Sequence, residues 1–234
     1  MTGIDLGREY AKIVCDTFGE MTSILYGSTV FGVDSSDLDM CFIRDKDLTS
    51  NDMKKLKKMT IDYHLSNNLR LDEEVPYENK LVYTYDFLNQ TMSDLPFIKV
   101  NNHYIIPKIE KSKEFLSSIE MKKRLILNIL TVKHLILTGN PNTLNSYEKS
   151  SWKKMIDVVI SYANFNEFSF DELVDAFLTD PYNKLDGEMY LGYKTNNINK
   201  IKYLYNNLQK YLVELINEDV LGYNDSGKYY LKKR

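Results

Sequence analysis

The chain has little of what marks several protein classes. Cys15 and Cys41 are its only cysteines in 234 residues, both among apolar neighbours. They read as small buried thiols, which excludes a disulfide framework and leaves no cysteine metal-ligand spacing. The three histidines, His64, His103 and His134, are scattered without ligand spacing. His64 near a helix end and His103 in a turn are expected at the surface, and His134 is expected to be a partly buried structural residue in a long helix. No run approaches the roughly 18 to 20 apolar residues that span a bilayer. The start, MTGIDLGREYAK, has no basic segment leading into an apolar one. No signal peptide is therefore expected, and a cytoplasmic protein is predicted. A basic excess is missing too. The net charge is −3 overall, about −5 over residues 1–109 and about +2 over 110–234. That argues against a dedicated binder of long nucleic acid and leaves a short nucleic-acid end open. No internal repeat or low-complexity linker interrupts the chain.

What is present is a soluble composition, 43% hydrophobic and 27% charged, with a change of texture after Pro107. In the first half, DLGREYAKIVCDTFGEM sets Leu6, Tyr10, Ile13, Val14 and Phe18 at helical spacing, stopped by Gly19. TSILYGS and LDMCFI read as short strands. The stretch TSNDMKKLKKMTIDYHLSN reads as a helix capped by Thr49 or Ser50, with Met53, Leu56, Met59, Ile61 and Leu65 inward. LRLDEEVP is strand-like as far as Pro76, and PFIKVNNHYIIP predicts a hairpin turning at Asn101-Asn102. Beyond it, SKEFLSSIEMKKRLILNILTVKHLILTG predicts one long helix ending at Gly139. Three more helices follow, and Ser169 with Glu172 forms a capping-box pattern at the start of one. LGYNDSGKYYLKK predicts a terminal hairpin. The fold expected is α+β: an α/β domain over 1–109 with a mixed sheet flanked by helices, then a helical, bundle-like domain over 110–234.

The stretch YGSTVFGVDSSDLDM, residues 26–40, carries the chemistry. Residues two apart on a strand share a face, so Asp37 and Asp39 point one way while Leu38, Met40 and Phe42 point the other. Two carboxylates side by side repel unless a cation lies between them. Phosphoryl-transfer sites use such pairs to hold Mg²⁺, a hard ion that takes carboxylates, waters and phosphates. Gly27 permits close backbone approach, and Ser28 offers a hydroxyl and an amide to a triphosphate. The competing reading is an exposed hairpin with an acidic turn, since DSSD is also good turn chemistry.

GSTVFGVDSSDLDM resembles the signature of the DNA polymerase β-like nucleotidyltransferase superfamily: Gly-Ser, a short turn, then alternating aspartates opening an apolar strand. The span from Gly32 to Asp37 is a residue or two shorter than in many members, which implies a tighter phosphate-facing turn. The helical second half is similar in architecture to the small antibiotic-modifying members, those acting on aminoglycosides and lincosamides. The resemblance implies an Mg²⁺-dependent enzyme, with two ions held by Asp37 and Asp39 and a nucleoside triphosphate as co-substrate. A third acid is implied on a neighbouring strand. In LRLDEEVP, alternation puts Arg70, Asp72 and Glu74 on one face. RLD is similar to the arrangement in polymerases of the family and EV, Glu74-Val75, to that in some antibiotic-modifying members. Asp72 and Glu74 therefore both stand as candidates, as metal ligand or as general base; a solvated acidic edge is the alternative. Arg70 is placed to pair with a carboxylate or to touch phosphate.

Tyr193 and Lys194, in EMYLGYKTNN, are candidates for base stacking and triphosphate contact. The basic clusters KKLKK (54–58) and KKR (122–124) read as solvated helix faces. The reaction expected is transfer of a nucleotide to the hydroxyl of a small molecule such as an aminoglycoside-type antibiotic. An RNA or tRNA 3′ end or a protein target is the alternative acceptor, and a catalytically inactive nucleotide-binding module is the alternative of another class.

Overall fold

The fold is built on four short strands whose two faces bury different helices. The computed structural model describes residues 2–32, 37–71, 75–101, 103–106, 112–179 and 197–232. Helix α1 (Gly3–Phe18) leads into β1 (Thr22–Leu25), a turn, and β2 (Met40–Arg44). Helix α2 (Ser50–Ser66) and the single-turn α3 (Tyr77–Lys80) then carry the chain to β3 (Val82–Thr84) and α4 (Tyr85–Ser93). A hairpin of β4 (Ile98–Val100) and β5 (His103–Ile105) follows, then α5 (Lys113–Leu116), α6 (Ile119–Thr131) and β6 (Leu135–Thr138). The remainder is α7 (Pro141–Tyr162), β7 (Glu167–Phe168), α8 (Phe170–Thr179), α9 (Ile198–Asn217), β8 (Leu221–Tyr223) and β9 (Tyr229–Leu231).

The central sheet has the order β3-β2-β1-β6. β1 runs antiparallel to β2 and β6, and β2 parallel to β3. Strand alternation sorts its side chains. Leu25, Met40, Phe42 and Val82 pack with Tyr10, Ala11 and Val14 of α1 and Leu56 of α2. Ile24, Cys41, Ile43 and Tyr83 join the larger cluster made with α4, α6, α7 and α9. At the centre of that cluster Trp152 is fully buried and stacks on Tyr211 with ring centres 5.9 Å apart. Gly19 ends α1 with φ 88°, a conformation suited to glycine. Among the described residues no helix is long and apolar enough to cross a membrane. The architecture is mixed α+β.

Several expectations are corrected. The long helix predicted over 112–138 is α5, α6 and a strand. Ser118 caps α6 by accepting the Met121 N–H at 3.1 Å, and Val132 leaves the helix in extended conformation. Residues 135–138 then pair with the open edge of β1, with Ile136 opposite Ile24. A free sheet edge outweighs helical periodicity there. The central sheet thus takes its fourth strand from beyond residue 109. The strand predicted over LRLDEEVP is not formed at residues 69–71 or 75; the neighbour of β2 is β3, later in the chain. In α2 Leu56, Met53 and Ile61 pack into the core as expected, Thr60 and His64 join Leu56 as its buried residues, and Leu65 is 59% exposed. His64 is buried, with Nδ1 bonded to the Thr60 carbonyl at 2.8 Å, because the inward stripe follows Tyr10 and Tyr63 of the α1–α2 contact. Ile13 of α1 faces outward. His134 lies between α6 and β6, and Arg124 of the KKR cluster is buried, its guanidinium between the rings of Phe97 and Phe115.

The α7–α9 contact is fastened by Lys149 and Lys153 against Glu214 and Glu218. Hydrogen bonds from Lys149 and then Lys153 hold the Glu214 carboxyl below its ordinary value near 4.5. The native state therefore binds fewer protons than the unfolded chain in the acid range, and the stability contributed by Glu214 is present above that value and lost as pH falls through the lowered one. Urea unfolding should show the midpoint of Glu214→Gln falling less steeply on acidification than that of the wild type. Parallel slopes would contradict the assignment.

Candidate functional site

The site begins where β1 runs out. The Tyr26 N–H donates to the Asp39 carbonyl at 3.0 Å, continuing the β1–β2 ladder one pair beyond the strands. That bond brings the next residue, Gly27, beside the Asp39 side chain. Gly27 has φ 80° and ψ −157°, a region open essentially to glycine alone. A Cβ there would collide with Asp39 Oδ2 and stand 3.0 Å from its Cγ. The carboxylate thus fills the volume that any other residue's side chain would take. Ser28 opens a 3-10 turn over Ser28–Phe31, and Gly32 ends it at φ 72°, ψ 18°. The turn is held from behind by α1: Thr29 and Val30 are buried, and a Cβ on Gly3 would lie 2.6 Å from the Thr29 methyl.

Asp37 and Asp39 precede Cys41 and Ile43 in the strand alternation. Leu38, Met40 and Phe42 share the α1–α2 cluster, as the alternation predicts. The Asp37 carboxylate is one-fifth exposed and meets the Arg70 guanidinium at 3.6 Å. Of the two roles open to Arg70, the structure gives it the carboxylate pairing. Among the described residues no group of three His, Cys, Asp or Glu side chains is gathered to hold a metal ion. Asp72, Glu74, Tyr193 and Lys194 lie outside the described residues.

Gly27 and Asp39 form one wall of a cavity of about 300 Å³. Its other walls come from both halves of the chain. Lys80 stands at the end of α3, Lys133 just after α6, and Lys200 in the first turn of α9. Lys133 and Lys200 place their ammonium groups 5.1 Å and 5.9 Å from the ring centre of Phe31, the last residue of the turn. Lys80 is 9% exposed, with its ammonium 4.6 Å from the Tyr77 ring centre. Leu125, Ile129 and Val132 supply an apolar wall, and Val75 reaches the same space. Tyr203 lines it as well; burial pushes its phenol up, so it stays a donor, directed to the Val132 carbonyl at 3.4 Å. Three lysines, one carboxylate and an apolar wall around a concave space of this size suit a ligand with a charged end and a flat apolar end.

The three lysines were not legible in the sequence. Each is a single residue with no periodic partner, and only the fold gathers them.

Gly27→Ala should lose about 3 kcal/mol or more in urea unfolding, combining a strained backbone with displacement of the Asp39 carboxylate. Gly32→Ala, whose Cβ would meet nothing within 4 Å, should lose only the strain, roughly 1 kcal/mol. Equal losses would contradict the Gly27–Asp39 contact. Comparison of the chain with protein-family models, with curated proteins and with solved structures gives no match.

Proposed function

We propose that the chain is an Mg²⁺-dependent nucleotidyltransferase that moves a nucleoside monophosphate from a triphosphate to an acceptor hydroxyl. One observation carries the reading: the Gly27–Asp39 wall and three lysines from separate elements line one cavity with an apolar side. The element order supports it, because a helix, a strand ending in Gly-Ser, a turn and a strand opened by alternating aspartates is the arrangement the resemblance implies. On this reading residues 1–109 supply the carboxylates and the phosphate-facing turn, and residues 110–234 select the acceptor and add Lys133 and Lys200 to the nucleotide site.

The donors fit a hard divalent ion. Asp39 and Asp37 offer carboxylate oxygens, and the missing side chain at Gly27 leaves backbone rather than bulk against Asp39. Asp37 and Asp39 would hold Mg²⁺, with Asp72 or Glu74 as third ligand or as base. Mg²⁺ bound there would neutralise triphosphate charge and lower the pKa of the attacking hydroxyl. The chain's own groups do the rest. Gly27 and the Ser28 amide and hydroxyl bring backbone donors to the phosphates. Lys80, Lys133 and Lys200 offset the charge that accumulates on the departing pyrophosphate. The acceptor oxygen forms the new bond to the α-phosphorus as the bridge to the β-phosphate breaks, and the acceptor proton passes to Asp72 or Glu74. Holding both reactants in line supplies much of the acceleration.

The small cavity and the net charge of −3 favour a small hydroxyl-bearing acceptor, an aminoglycoside-type antibiotic being the proposed class, met in the cytoplasm. The test is incubation with α-labelled triphosphates, Mg²⁺ and panels of antibiotics, RNAs and proteins. Label should move to one small-molecule acceptor and fall by about 100-fold or more in Asp37→Ala and Asp39→Ala. Label on an RNA end or a protein would replace the acceptor class. Absence of both transfer and Mg²⁺-dependent nucleotide binding would overturn the proposal.

A further inference from the structure

Helix α6 turns a stripe toward the cavity: Leu125, Asn128, Ile129 and Val132, spaced as successive residues on one helical face. Leu125 and Ile129 are 8% and 2% exposed, and the stripe is apolar except for one carboxamide. The main-chain carbonyl of Asn128 accepts from the Val132 N–H at 2.9 Å and from the Thr131 hydroxyl at 3.2 Å. Its side-chain amide has no hydrogen-bond partner among the described residues. Two other asparagines in the protein interior differ. Asn79 Nδ2 donates to the Leu116 and Ser118 carbonyls at 2.8 Å and 3.1 Å, and Asn207 Nδ2 donates to the Tyr203 carbonyl at 2.9 Å. A half-buried carboxamide on an apolar wall, held by no group among the described residues, keeps only the water of the cavity, and a ligand seated there would displace that water and have to supply its partners.

The ligand groups that match are restricted. The charged end of a nucleotide has Asp39 and the three lysines to meet, and Asn128 stands on the apolar wall instead. A carboxamide presents a donor and an acceptor side by side, as do the polar edges of the nucleobases. We propose that Asn128 is the residue that reads the nucleobase, setting which triphosphate is used. The inference rests on the nucleotidyl-transfer reading of the same cavity. Its physical basis is the asymmetry of buried polar groups: the correct base satisfies both amide positions, and a wrong base leaves one of them unpaired.

Two variants separate recognition from folding. Asn128→Leu keeps the volume and removes donor and acceptor. Asn128→Asp keeps the shape and presents acceptors only, which suits guanine with its adjacent N–H donors. Calorimetry of the full chain with the four ribonucleoside triphosphates and Mg²⁺ is run beside label transfer. The wild type should favour one base by about 10- to 100-fold, and Asn128→Leu should compress that ranking to within about threefold. Asn128→Asp should shift the preference toward guanine. An unchanged ranking in Asn128→Leu, or a wild type indifferent to base, overturns the role of Asn128 while nucleotidyl transfer stands. A ranking that collapses in Asn128→Leu although the wild type transfers no label supports base reading and overturns the transfer chemistry. Failure of every triphosphate to bind overturns both.

Discussion

The architecture of the site depends on one contact, the Asp39 carboxylate lying against the bare Cα of Gly27. The contact exists because the β1–β2 ladder runs one pair past the strand ends through Tyr26 and Asp39. It fixes where the carboxylate points, and it demands a backbone conformation that glycine alone adopts readily. Packing of Thr29 under the first turn of α1 then stops the turn from swinging away. Asp39, placed this way, lines the cavity together with Gly27.

The cavity is a joint product of sheet and helices. The sheet end supplies the acid and the close-approaching backbone, while α3, α6 and α9 bring cations and apolar surface. Pairing of β6 with β1 ties the helical part to the sheet, because the chain enters that strand directly from α6. The large cluster around Trp152 holds α6, α7 and α9 together. Stability far from the cavity therefore sets the spacing between Asp39 and Lys200. A ligand bound there would touch both parts of the chain.

Legibility in the sequence followed the range of the interaction. Local signals were readable: the glycine stop of α1, a cap of α2 at Thr49 or Ser50 (it is Thr49), the hairpin at Asn101, the Ser169–Glu172 capping box, and the alternation that sets Leu38, Met40 and Phe42 apart from the aspartates. Long-range pairing was not. Leu135–Thr138 continues a helical pattern and becomes a strand only because β1 offers an open edge. Arg124 reads as part of a solvated basic run and is buried between two rings whose positions depend on other elements. In the candidate site, Gly27, Ser28, Asp37 and Asp39 stand close in sequence and could be picked out together. Lys80, Asn128, Lys133 and Lys200 share nothing but the space they face.

The most direct measurement is a crystal structure of the protein with Mg²⁺ and a triphosphate whose α–β bridge is methylene, so that it cannot react. The account predicts the phosphates between the Gly27–Asp39 wall and the lysines Lys80, Lys133 and Lys200, with the base against Leu125, Asn128 and Ile129. A nucleotide seated instead in the recess at the other end of the sheet, among Thr22, Arg44 and Thr138, would contradict it.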